Sequence, residues 1–310
     1  MTALEEVSTY LPPETTPIAQ ILTELDHSPA QIGLYQRYYG FAEVRRDSGA
    51  AVGDLLLAAA RKLEHLRGRE ERVRYLAYAP TIQLAAPYPT DVLGQVRDAL
   101  GLTHAAAFSL TQHACASALL AVDACGKLLT ADGDPDALAL VLAGEKTFTR
   151  VTRVMPNSAV MGESTAAVLI RPGGGPDRVL GYATRTYSEF HVGPFEPPDL
   201  AARFDELYPA ALAEVIEAAL DASGLTATDL TLVLPHNVNK MSWYRVARMI
   251  GLPVDRILLD NVPVLGHCFG ADPFINYRTA QALGRLRPGD PYLMTSVGVG
   301  ATFSAMVLRR

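Results

Sequence analysis

Apolar residues at helical spacing over 51–66 (AVGDLLLAAARKLEHL) predict an amphipathic helix. The apolar run at 73–79 predicts a strand ended by Pro80, and 91–100 a helix closed by Gly101. Ahead of these, a short strand precedes Tyr10-Leu-Pro-Pro, and the chain to residue 50 reads as irregular and short helical segments. Aromatics cluster there at Tyr35, Tyr38, Tyr39 and Phe41, a group suited either to packing or to lining a substrate entrance. The pattern continues with a short buried strand at 105–108, a helix from Ala116, a turn at 132–135 and strands at 137–143 and 166–170. Arg171-Pro-Gly-Gly-Gly-Pro176 is the strongest break and sets an expected boundary between halves 1–172 and 173–310. The second half repeats the theme: helix 207–222, strand 230–234, helices 241–250 and 273–286, strand 292–297 and a closing strand 301–308. Strands alternating with helices in both halves imply stacked α/β layers rather than a sandwich or a bundle.

Size changes this picture little: 310 residues suit one large domain or two of about 150. Hydrophobic content of 49% with 19% charged residues is that of a globular chain with an ample core. A net charge of −6 argues against a nucleic-acid groove and leaves room for a local basic patch facing an acidic partner. Three cysteines (115, 125 and 268) with no CxxC pair argue against a disulfide framework or a structural zinc site. Met1-Thr-Ala-Leu-Glu-Glu has no signal-peptide pattern and no run of 18 apolar residues occurs, so no membrane association and a cytoplasmic location are expected.

Candidate chemistry centres on Ser109-Leu-Thr-Gln-His-Ala-Cys115-Ala-Ser, where a strand hands over to a helix N-terminus. Unpaired amides and the helix dipole stabilise a thiolate there, as a covalent acyl intermediate requires. Free cysteine is also among the most buried residue types, so a purely structural Cys115 stays open on this stretch alone. Gly162-Glu-Ser-Thr-Ala166 only half-matches a nucleophile elbow and is followed by a β-like run instead of a helix. Gly298-Val-Gly300 is half a dinucleotide fingerprint with no room for a βαβ unit behind it. Gly173–Gly175 lacks the Lys-Ser/Thr of a phosphate loop. His113, Cys115, His267 and Cys268 match no standard zinc spacing, so no metal is expected. Two histidines follow strands or loops: Leu234-Pro-His236-Asn-Val-Asn239 and Leu265-Gly-His267-Cys-Phe-Gly-Ala-Asp272.

Taken in order, Cys115, Pro-His236-x-x-Asn239, Gly-His267 and Gly298-x-Gly300 resemble the β-ketoacyl-acyl carrier protein synthase III branch of the thiolase superfamily. The resemblance spans nearly the whole chain, from Tyr10-Leu-Pro through Ala99-Leu-Gly101-Leu to the Gly-rich ending. It implies a five-layer αβαβα thiolase-like fold of two similar halves, usually a homodimer. It further implies acylation of Cys115 from a carrier-protein or coenzyme A thioester, which is a substrate, so no cofactor is expected. Backbone amides at Cys115 and along Gly298, Val299 and Gly300 would form the oxyanion hole, with His236 assisting the second step and Asn239 in support. Pro87-Tyr88-Pro89 matches the loop that family members send across the dimer, which places Tyr88 at the partner's acyl pocket.

Departures narrow the chemistry. Gly266-His267 stands where the synthase III branch has Gly-Asn, although elongating synthases and thiolases carry Gly-His there. An imidazole N–H can hold a thioester oxygen as it becomes an enolate, and the same ring can act as a base toward an alcohol or amine. Asp272 either orients His267 or caps the helix that follows. Leu34 and Tyr38 fall where coenzyme-A-dependent relatives carry Trp and Arg, and the one tryptophan is Trp243. That favours an acyl carrier protein as donor, with Lys240, Arg245 and Arg248 as its basic patch unless they are a solvated helix face. The expected function is acyl transfer through Cys115 to a small-molecule acceptor in specialised metabolism. Decarboxylative condensation stands slightly ahead of transfer to a hydroxyl, amine or carrier thiol. A non-catalytic partner subunit is the rival, and joint retention of Cys115, His236 and the Gly298–Gly300 turn speaks against it.

Overall fold

Alternation along each strand sorts the apolar side chains into separate layers. The computed structural model describes residues 1–83 and 85–310. The first half supplies strands β1 (Thr2–Tyr10), β2 (Val73–Ala79), β3 (Ala106–Ser109), β4 (Leu138–Ala143) and β5 (Thr165–Pro172). Its principal helices are α1 (Val52–Ala60), α2 (Val92–Ala99) and α3 (Ser117–Asp132). The second half supplies β6 (Arg178–Thr186), β7 (Leu232–Leu234), β8 (Pro291–Gly298) and β9 (Thr302–Arg309). Its helices are α4 (Pro198–Ser223), α5 (Lys240–Met249) and α6 (Asp272–Ala282).

In β4, Leu138, Leu140 and Leu142 pack with α1 and α2, whereas Ala139, Val141 and Ala143 share a core with α3. In β8, Tyr292 and Met294 join that same central core, whereas Leu293 and Val297 pack with α4 and α5. Helices α3 and α6 therefore form the middle of five layers, between the two sheets, with α1 and α2 outside one and α4 and α5 outside the other. The strand order is β7-β8-β9-β6-β1-β5-β4-β2-β3, the two sheets meeting at the antiparallel pair Ala3 and Arg178. Ala114–Asp132 is, among the described residues, the one helix apolar enough to cross a membrane, and it instead fills the central layer.

Some element limits depart from the pattern. The helix expected over 51–66 stops at Ala60, because the Glu6 carboxylate accepts the Glu64 and His65 amides at 3.0 and 2.8 Å and holds a turn there. The strand expected to be buried at 105–108 is the edge strand β3, paired only with β2, and Ala106 and Ala107 are exposed. Helix α4 begins at Pro198, nine residues ahead of the expected start, with Pro209 inside it. Strand β6 escapes the apolar pattern because much of it is half-buried or exposed, ending in Thr184-Arg-Thr186.

Beside the join between the halves, the buried Asp177 carboxylate accepts from Tyr277 at 2.6 Å and Tyr292 at 2.8 Å, and pairs with Arg310. Its backbone carbonyl also accepts the Leu4 amide at 3.0 Å, tying β1 to the second half. We predict that Asp177→Ala destabilises the protein by about 3–5 kcal/mol, since it strands two buried hydroxyls and a partly buried cation. Tyr292→Phe, which removes one donor of several, should cost only about 1–2 kcal/mol. Chemical denaturation of both variants checks the order.

Candidate active site

Cys115 lies in a short helical turn, Ala114–Ala116, that leads directly into α3, and its side chain is buried. Ala114 before it takes a φ of +46°, a left-handed conformation costly for a residue with a side chain. The segment is held from behind by Gly298, whose missing Cβ would collide with the His113 carbonyl. Ser296 Oγ donates to the Cys115 carbonyl at 2.8 Å, fixing the same segment from β8. Gly298 and Ser296 of the second half thus set the position of Cys115, which the first half carries.

His267 reaches Cys115 from the loop before α6. Gly266 turns that loop with a φ of +64°, and its lack of a Cβ lets it lie against the Val160 carbonyl. The His267 amide donates to Val160 at 2.9 Å, and its carbonyl accepts the Gly162 amide at 2.9 Å. The ring then stands with Nε2 at 3.3 Å from Cys115 Sγ and Nδ1 on Asp272 Oδ2. Asp272 opens α6 but does not cap it; its side chain turns back to the loop. Oδ2 also accepts the Asn237 amide at 2.6 Å, and Oδ1 accepts the Cys268 amide at 2.7 Å and Asn237 Nδ2 at 3.2 Å. Asn276 Nδ2 in turn holds Asn237 Oδ1 at 2.9 Å. Burial opposes charge on His267, but the Asp272 carboxylate and the Cys115 sulfur outweigh it and keep its pKa above the ordinary histidine value. Cys115, His267 and Asp272 stand in line as a thiol, an imidazole and a carboxylate, an arrangement chemically able to supply a nucleophile, a base and its orienting group.

His236 is wired differently. Its ring is fully buried, its Nε2 is paired with the Tyr208 hydroxyl, and Trp243 packs on it at 5.2 Å between centroids. The His236 and His267 rings are 6.5 Å apart. Burial, reinforced by the nearby His267, pushes the His236 pKa down to about 3. Trp243 Nε1 donates to the His236 carbonyl at 3.1 Å and is buried, so this tryptophan is core and not a nucleotide platform.

A cavity of about 520 Å³ joins these groups, lined by Cys115, His267, His236, Tyr208 and the Val299–Ala301 turn. Tyr39 and Arg245 stand farther along it. Asn239 accepts from Ser242 N at 2.8 Å, capping α5, and donates to the Asn157 carbonyl at 3.1 Å, which shapes the cavity wall. Arg245 and Arg248 are exposed on α5, whereas the Lys240 stem lies across Gly40. Of the early aromatics, Tyr35 and Phe41 are core, Tyr39 lines the cavity and Tyr38 is exposed. Tyr88 is 92% exposed and is absent from the lining of its own chain's cavity. Leu34 and Tyr38 are also exposed.

Three further residues touch the site without a sequence signal. Thr81 Oγ1 lies 3.4 Å from Cys115 Sγ, just past the end of β2. Beside it, buried Glu145 accepts the Ile82 amide at 3.0 Å, and burial pushes its carboxyl up to about 7. Tyr208 sits on α4 next to Pro209, where helical periodicity gives no hint that its hydroxyl meets a histidine.

We predict that His236 stays neutral between about pH 5 and pH 8, whereas a free histidine titrates in that window. Because its folded pKa lies below the ordinary 6.5, the unfolded chain binds the extra proton as pH falls, so this group erodes stability from about 6.5 down to about 3. Imidazole nitrogen shifts, assigned with His236→Ala, provide the check; a charged His236 near pH 6 contradicts it.

Against known proteins, the family model described as 3-Oxoacyl-[acyl-carrier-protein (ACP)] synthase III C terminal matches residues 220–310. A β-ketoacyl-[acyl-carrier-protein] synthase III of Erythrobacter litoralis is 25% identical over 328 residues, covering 99% of this chain and 98% of that protein. Among solved structures, 3-oxoacyl-(acyl carrier protein) synthase III from Pseudomonas aeruginosa PAO1 superposes with a TM-score of 0.82 at 23% identity, covering 99% of this chain and 98% of that one. A chain described as "ChlB3 [Aceyltransferase]" gives a TM-score of 0.85 at 22% identity, over 99% of this chain and 97% of its own length. The comparisons agree along the chain: it has the fold of these synthases, its residues 220–310 match the synthase III C-terminal model, and over nearly its full length it is similar to β-ketoacyl-acyl carrier protein synthase III proteins.

Proposed function

We propose that this protein is an acyltransferase that loads an acyl group onto Cys115 and passes it to a hydroxyl, amine or thiol acceptor without decarboxylation. The observation that carries this reading is the contact of His267 Nε2 with Cys115 Sγ at 3.3 Å, backed by Asp272 on the other ring nitrogen. His267 is thereby built to move protons at the nucleophile. Sequence alone puts condensation slightly ahead because two imidazoles could hold an enolate oxygen; the different wiring of His236 and His267 favours the other branch.

In the proposed sequence, the Cys115 proton passes to His267 Nε2 and the sulfur attacks the donor thioester carbonyl. Asp272 stabilises the imidazolium that results. The oxyanion faces the backbone amides of Cys115 and the Gly298–Gly300 turn, and the departing thiolate takes the proton back from Nε2. An acceptor hydroxyl, amine or thiol then gives its proton to Nε2 and attacks the acyl carbonyl, and the Cys115 thiolate leaves. The donor is a thioester substrate, and no step calls for a metal or cofactor.

An acyl carrier protein is the proposed donor. Trp243 is buried and Leu34 and Tyr38 replace the Trp and Arg of coenzyme-A-dependent relatives, whereas Arg245 and Arg248 are exposed near the cavity. Support for a homodimer comes from the open edge of β3 and the exposed Tyr88, which would shape the partner's acyl pocket. The proposed setting is specialised metabolism in the cytoplasm, and the proposed halves are 1–172 and 173–310.

We predict that acyl thioesters add mass to the parent and none to Cys115→Ala. In single-turnover transfer from pre-loaded acyl-Cys115, both His267→Ala and His267→Asn should lose about 10²- to 10⁴-fold, because Asn cannot accept the acceptor's proton. An active His267→Asn together with carbon dioxide release from malonyl thioesters by the parent would establish condensation instead.

A further inference from the structure

In the cavity wall, the side chain of Tyr208 lies directly against His236, and both line the open space. His236 is 0% exposed, whereas Tyr208 is partly exposed and lines the cavity beside it. The Tyr208 hydroxyl meets His236 Nε2. Tyr208 is not free to swing away: Phe303 lies 5.7 Å and Phe204 5.9 Å from its ring centre, and Pro209 follows it in α4. On its other side His236 is closed by Trp243.

We propose that Tyr208 is a specificity-determining residue, which occupies His236 Nε2 and so withholds that imidazole from an extender thioester. The inference rests on the non-condensing reading above and extends it to the residue that enforces it. Decarboxylative condensation breaks the bond between the malonyl α-carbon and its carboxylate; carbon dioxide leaves, and the electron pair becomes an enolate on the thioester oxygen. The α-carbon then attacks the acyl-Cys115 carbonyl, and the Cys115 thiolate departs. The enolate step needs hydrogen-bond donors at the thioester oxygen, one such donor being worth about 10²- to 10³-fold in rate. With His236 Nε2 engaged by Tyr208, His267 is the imidazole left with a ring nitrogen at Cys115, and that nitrogen already faces the sulfur. Transfer to an O–H, N–H or S–H acceptor needs only His267 and proceeds without the second imidazole.

The test compares carbon dioxide release from carboxyl-labelled malonyl-coenzyme A, and from the same malonyl group on an acyl carrier protein, by acyl-loaded parent, Tyr208→Phe and Tyr208→Ala. Tyr208→Phe removes only the hydroxyl and frees Nε2; Tyr208→Ala also opens the cavity wall. We expect at least a tenfold gain in release over the parent in one or both variants, and loss of that gain when His236→Ala is added. The His236 imidazole nitrogen shifts should move in Tyr208→Phe, a change that a purely packing role would not produce. Acyl loading of Cys115 in each variant verifies that it is folded. Variants that load but release carbon dioxide no faster than the parent overturn the role of Tyr208, and a gain that survives His236→Ala does the same. A parent that itself releases carbon dioxide at a condensing rate overturns the non-condensing reading, and the ratio of variant to parent still decides the role of Tyr208.

Discussion

Four donors converge on the carboxylate of Asp272, which has no exposure to solvent. A carboxylate so deeply buried costs several kcal/mol unless its oxygens are filled, and here two backbone amides, one side-chain amide and an imidazole fill them. The consequence is geometric. With Nδ1 committed, the His267 ring cannot rotate, and Nε2 is left pointing at the sulfur of Cys115. The Asn237 contacts bring the loop after β7 into the same arrangement, so the packing of α6 against β7 and the orientation of the base are one structural fact. Cys115 lies in the turn that leads into α3 in the other half. The site exists because the central helices α3 and α6 begin beside one another between the sheets.

The two histidines show how strongly surroundings decide chemistry. Their rings are 6.5 Å apart in one cavity wall, yet one is held above the ordinary pKa by a carboxylate and a sulfur and the other is pushed far below it by burial. Groups whose pKa values are driven apart in this way take different roles. His267 meets a thiol on one ring nitrogen and a carboxylate on the other. His236 is an enclosed ring whose burial disfavours charge and whose Nε2 is paired with the Tyr208 hydroxyl.

Much of this was legible in the chain. Cys115 at a helix start, Gly before His267, Asp272 five residues on and the Gly298–Gly300 turn are local features, and the layers follow from alternating strands and helices. Tyr208 was not legible, because a tyrosine beside a proline in a helical pattern carries no mark of what its hydroxyl touches 28 residues away in sequence. Thr81 and Ser296 meet Cys115 through tertiary packing alone. The edge position of β3 was hidden for a related reason: an apolar tetrapeptide reads the same at the centre of a sheet as at its rim, and only strand order distinguishes them. The pattern at 51–66 overran the helix because Glu6, far away in sequence, captures the amides that would have continued the turn.

The central claim is that Asp272 and His267 act as one proton-handling unit on acyl-Cys115. The most direct measurement is single-turnover acyl transfer from pre-loaded acyl-Cys115 to a hydroxyl or amine acceptor in Asp272→Asn, with the thermal midpoint followed alongside. If the account is right, transfer falls by about 10²- to 10⁴-fold in a folded protein, because the imidazole loses both its orientation and the charge that stabilises its protonated form. Transfer within about tenfold of the parent, in a folded variant, would contradict it.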